Sequence, residues 1–101
     1  MESLFLLTNQ KIREEIGVRI KKHRLEMEFS QADLSRRTGI SVHSISNIEN
    51  GNDFTVDNLI SILKALNLID NINQLLPEII ANPYDVAVGV KDRQRRKRTK
   101  S

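Results

Sequence analysis

The chain has 101 residues, 39% of them apolar, and carries a formal charge of +3 with no cysteine and two histidines. That length fits one domain, the lack of cysteine excludes disulfides and thiolate metal sites, and no apolar run reaches the length of a membrane span. The positive charge is concentrated: Lys91–Ser101 holds seven Lys/Arg and one Asp, a tail of +6, which leaves the remainder at −3. Any affinity of the folded part for a polyanion must therefore come from a local basic face, for which Lys21, Lys22, Arg36 and Arg37 are the candidates.

Residues 1–8 read as an apolar arm, with Leu4–Leu7 too short for a signal peptide and preceded by an acid rather than by basic residues. From Asn9 to about Met27 the pattern is helical, with Ile12, Ile16 and Ile20 on one face. Ser30 is an N-cap with Asp33 three residues on, a variant of the capping box, and Gly39 stands where a left-handed residue stops a helix. Ser41 caps a further helix from Val42. Asn50–Asp53 is a loop by composition. Thr55 caps a helix over Val56–Leu66 whose stripe is Leu59, Ile62, Leu63 and Leu66. Asp70 is placed to cap a short fifth helix that Pro77 ends.

Past Pro77 two patterns compete. Asn82-Pro83-Tyr84-Asp85 reads as a helix start, whereas Val86, Val88 and Val90 alternate as in a strand. The expected division is an arm at 1–8, a helical domain at 9–81, an extension at 82–90 available for dimerisation, and a basic disordered tail at 91–101. The tail is expected to add phosphate contacts without reading sequence.

Two short helices joined at Gly39-Ile40-Ser41 form a helix-turn-helix: one helix braces, the next enters a major groove. Ile45 and Ile48 should face the core, which turns Val42, His43, Ser46 and Asn47 outward. The exposed chemistry suits base edges. Asn47 can pair bidentately with adenine, His43 can donate to guanine, and Val42 can pack on a thymine methyl. Gln31 opens the bracing helix, where free N–H groups and its own amide suit a phosphate. The plain alternative is that these are ordinary solvated positions.

Gln31, Leu34, Gly39, Ile40, Ser41, Ile45, Ser46 and the closing Glu49-Asn50-Gly51 resemble the lambda-repressor-like, or Xre/Cro-type, helix-turn-helix family over about Ile16–Leu76. The resemblance implies an all-α, five-helix domain that binds double-stranded DNA as a homodimer on a palindromic operator, as a repressor in the cytoplasm at the nucleoid. It places Val42, His43, Ser44 and Asn47 at bases or nearby phosphates, and Ser41 and Gln31 are expected among the DNA-binding residues with them. It pairs Arg24 with Glu49 as a structural tie between helices. It also implies an alternative role, an antitoxin that neutralises a kinase-like toxin protein and represses its own operon. No cofactor, metal or catalytic residue is expected. Two positions depart from the family pattern. His23 stands where a core leucine is common, and is expected to be half-buried and satisfied. Glu28 stands where glycine is common in a left-handed bend, so either the bend is reshaped or Glu28 carries strain.

Overall fold

The computed structural model describes residues 3–79, and within that span there are five α-helices and no strand. They are α1 (Asn9–Glu26), α2 (Gln31–Thr38), α3 (Val42–Glu49), α4 (Val56–Ala65) and α5 (Ile72–Leu75), with 3-10 turns at Leu4–Leu6 and Ile69–Asn71. The chain up to Asn71 forms one compact unit and a second begins at Ile72. The expectations for Val86, Val88 and Val90, for the 82–90 extension and for the 91–101 tail lie outside the described residues.

Each of the first four helices opens on a hydroxyl cap. Thr8, Ser30, Ser41 and Thr55 accept the backbone N–H three residues on, from Lys11, Asp33, Ser44 and Asn58. Ser30 and Asp33 complete a reciprocal capping box, the Ser30 N–H donating to Asp33 at 2.8 Å. Those bonds hold the Asp33 carboxyl below its ordinary value of 3.8. The direction fixes a pH dependence. A carboxylate depressed on folding contributes stability that is present above its ordinary value and lost as pH falls through the folded one. Melting curves of the protein and of Asp33→Asn should therefore differ most near neutrality and converge below about pH 4. A gap that persists in acid would show that the box does not act through the ionised carboxylate.

The helix ends are equally regular. α1, α3 and α4 all close in the pattern that pairs one N–H with the carbonyl five residues back and the preceding N–H with the carbonyl three back. The bonds are Phe29 to Arg24 and Glu28 to Leu25, Asn52 to Asn47 and Gly51 to Ile48, Leu68 to Leu63 and Asn67 to Lys64, all between 2.7 and 3.1 Å. The residue in the left-handed position is Glu28 (φ 61), Gly51 (φ 92) or Asn67 (φ 61). The bend after α1 thus keeps its shape, and Glu28 carries the strained conformation, at a cost of about 1–2 kcal/mol. Gly39 ends α2 at φ 79, as its place in the sequence suggests.

The core is Ile20, Leu34, Ile40, Ile45, Ile48, Ile62 and Leu66, with Ile16, Met27, Phe29, Phe54, Leu59, Ala65 and Leu68 packed around it. All of it comes from α1–α4 and their connections. Each fully buried aliphatic chain contributes about 1.5–3 kcal/mol. Two expectations are corrected. His23 is exposed rather than half-buried, because the buried face of α1 runs through Gly17, Ile20 and Arg24 and leaves position 23 to its side. Asp70 lies inside the 3-10 turn Ile69–Asn71 rather than capping α5: the chain reverses at Asn67 and Leu68 and re-enters helical geometry at once.

Candidate nucleic-acid interface

α3 is an eight-residue helix with a sharp division of its surface. Ile45 and Ile48 are 0% and 2% exposed and face the core. Val42 and His43 are exposed, and Ser44, Ser46 and Asn47 are half-buried. Ser41 caps the helix and its hydroxyl also donates to that of Ser44 at 3.0 Å, so the Ser41 hydroxyl is committed to the cap while that of Ser44 accepts from it. One turn apart, the Asn47 Nδ2 and the His43 Nε2 lie 3.2 Å from each other. The two side chains expected to read bases therefore touch and form a single polar unit.

α3 is held in place from beneath. Arg24 of α1 grips Glu49 with two nitrogens, Nε at 2.6 Å and Nη2 at 3.0 Å, and its third nitrogen donates to the Phe29 carbonyl at 2.8 Å. Both side chains are almost wholly buried. The expected tie between helices is therefore present with bidentate geometry, the strong form of such a pair. Gln31 joins it: its Nε2 donates to Glu49 Oε1 at 3.0 Å. This contact was not legible in the sequence, where Gln31 reads as an outward amide. Gln31 binds α2 to the end of α3 through one hydrogen of its amide nitrogen, which leaves the second hydrogen of Nε2 as the remaining donor.

Two more supports were missed in the sequence. Arg13 donates to the Gly51 carbonyl at 3.1 Å and reaches Asp53 at 3.2 Å, fixing the loop that follows α3. Gly17 lets α1 and α3 meet backbone to backbone. A Cβ there would lie 2.5 Å from the Glu49 carbonyl oxygen and 2.6 Å from that of Ile48. The signal available beforehand was only a glycine in mid-helix, which ordinarily marks a weak point.

The four cations expected at phosphates separate into two kinds. Lys21 and Lys22 are exposed on α1 beside a shallow groove shared with Gln31, Glu49 and Asn50, and among the described residues neither forms a salt bridge. Arg36 pairs with Asp33 one turn back. Arg37 lies over the Phe29 ring, 4.2 Å from its centroid, a cation–π contact on the α2–α4 side. The lysines are the freer charges.

The sequence profile of the helix-turn-helix family matches residues 20–70. The chain belongs to this family, in its lambda-repressor or Xre-like branch. No curated protein matches it significantly. The matched span runs from the buried face of α1 through α4, and so contains the turn, α3 and the ion pair beneath it. This helix-turn-helix domain is a DNA-binding module of the transcription-regulator kind. None of the described helices is long and apolar enough to cross a membrane.

Proposed function

We propose that this protein is a sequence-specific transcriptional regulator, a repressor, that binds a palindromic operator as a homodimer with α3 in the major groove. The observation that carries this reading is the division of α3. Its inward isoleucines and the Arg24–Glu49 pair fix the helix, and the polar unit of His43 and Asn47, flanked by Val42 and Ser44, faces outward. Lys21, Lys22 and the α2 terminus at Gln31 supply the backbone contacts that set register without reading sequence. An eight-residue helix touches few base pairs. Two copies, spaced by one helical turn of about 34 Å, read both halves of a palindrome. Leu75, Leu76 and Ile79 of the C-terminal unit are exposed, an apolar surface that a second copy could cover.

Chromatin immunoprecipitation with sequencing in the native host, followed by footprinting, should return a palindrome with half-sites about one turn apart. Binding without an enriched motif would overturn the reading. At that operator Asn47→Ala and His43→Ala should each lose about 1–3 kcal/mol, with little change on scrambled duplexes. Because the two side chains touch, the double variant should lose less than the sum. Equal losses on both DNAs would remove them from base reading.

A second reading, an antitoxin bound to a kinase-like toxin, draws on the arm at Leu4–Leu6. Phe5 is 93% and Leu6 75% exposed, an apolar surface suited to a protein partner. Co-purification of a neighbouring gene's toxin with the full chain, lost in Phe5→Asp, would support it. Full capture by Phe5→Asp would exclude the arm as the contact.

A further inference from the structure

The end of α3 holds a third residue of the His43–Asn47 unit. The N–H of Asn52 donates to the Asn47 carbonyl at 3.0 Å, as part of the backbone pattern that closes the helix. That bond brings the Asn52 side chain against the Asn47 side chain, where its Nδ2 donates to Asn47 Oδ1 at 3.5 Å. On the other side Asn47 Nδ2 meets His43 Nε2. An amide nitrogen can only donate. His43 therefore accepts at Nε2 and, as a neutral ring, carries its proton on Nδ1. The three side chains form a chain of one polarity, from Asn52 through Asn47 to His43.

We propose that Asn52 is a specificity-determining positioning residue, which fixes the direction in which Asn47 presents its donor and acceptor to a base pair. The proposal rests on the reading of α3 as a base-reading helix. An amide has two donor hydrogens and two acceptor lone pairs. The chain uses one of each and leaves one of each for DNA. Adenine shows its N7 acceptor beside its N6 donor in a fixed order in the major groove. An amide free to turn over offers both orders. An amide held between Asn52 and His43 offers one. His43 alone leaves the order open, because its ring can donate or accept at Nε2 according to tautomer; in the observed arrangement Asn52 donates to Oδ1, which turns Asn47 Nδ2 toward His43.

Two variants test the proposal on the full-length chain. Asn52→Ala removes the donor and keeps the backbone bond that closes α3. Asn52→Asp replaces the donor by an acceptor, so the chain should reverse, with Asn47 Nδ2 turned toward position 52 and His43 donating. The first readout is the nitrogen NMR spectrum of the His43 ring in the free protein near pH 8, where imidazole is neutral. The native protein should show the Nδ1–H form, and both variants should move toward the Nε2–H form that free imidazole favours. The second readout is selection from a randomised duplex library. Preference at the base pair facing Asn47 should fall at least about fivefold in Asn52→Ala and change identity in Asn52→Asp, with flanking pairs unaltered. The same tautomer in all three proteins, or an unchanged preference at that pair, would overturn the role of Asn52. A native protein that selects no sequence would overturn base reading itself, while the tautomer comparison would still decide whether Asn52 orients Asn47.

Discussion

Glu49→Ala is expected to lower the melting midpoint by roughly 15 °C or more. Arg24 and Glu49 are joined by two hydrogen bonds and their side chains are 6% and 3% exposed. Alanine at 49 strands the guanidinium with only the Phe29 carbonyl as partner and leaves the Gln31 amide without its acceptor. Breaking one side of a buried pair costs about 3–5 kcal/mol. A domain of this size has about 5–15 kcal/mol in all, and each kcal/mol moves its midpoint by about 4–8 °C. Thermal unfolding followed by circular dichroism, with the exposed Glu26→Ala as control, is the measurement. Similar midpoints for the two variants would contradict the buried pair. The pair itself is not where most of the stability resides. Taking two charges out of water offsets much of their attraction, so Arg24→Met combined with Glu49→Leu should recover part of the loss. What the double variant should not recover is the placement of α3, because an apolar contact does not fix register as a bidentate pair does.

The parts of this fold that were legible in the sequence are those whose physics is local. Ser30, Ser41 and Thr55 announce helix starts because a hydroxyl cap needs only the N–H three residues on. Ile45 and Ile48 declare an inward face by spacing alone, and that spacing fixes the outward side of His43 and Asn47. The Arg24–Glu49 pair, which spans 25 positions, was legible only through the family resemblance. The rest depends on what arrives from elsewhere in the chain. Gln31 reads as a surface amide until the end of α3 is brought over it. Thr8 reads as the end of an arm, because nothing before Asn9 marks a boundary other than the cap itself, and it caps α1. Asn52 reads as loop composition, and its importance appears only when the closing pattern of α3 folds it back onto Asn47. His23 reads as half-buried only by its family position; in the geometry of α1 Arg24 takes the buried place and leaves position 23 exposed.

Gly17→Ala is the other change expected to be large, and here two effects oppose. Alanine is a better helix former than glycine by about 1 kcal/mol, so α1 alone would gain. Against this stands the contact with α3. The new Cβ would sit 2.5 Å from the Glu49 carbonyl oxygen, whereas ordinary contacts begin at 3.4 Å. Neither carbonyl can swing aside. That of Ile48 accepts the Gly51 N–H at 3.1 Å in the closing pattern of α3, and the chain at Glu49 is anchored by the side-chain grip of Arg24. The helices must separate by nearly an ångström, which weakens the packing of Ile45 and Ile48, stretches the ion pair and pulls on the bond from Arg13 to the Gly51 carbonyl. Overpacking of this kind costs about 1–3 kcal/mol, and the strained ion pair adds to it, so the clash outweighs the propensity gain. The midpoint should fall by about 5–15 °C. Operator affinity should fall further than the folded fraction accounts for, since α3 carries His43 and Asn47 away with it. Melting curves, with operator titrations at a temperature where both proteins are folded, separate the two effects. A higher midpoint in Gly17→Ala would mean that propensity prevails and that α1 and α3 do not meet backbone to backbone. A lower midpoint with unchanged operator affinity would mean that α3 keeps its place and the strain is absorbed in α1.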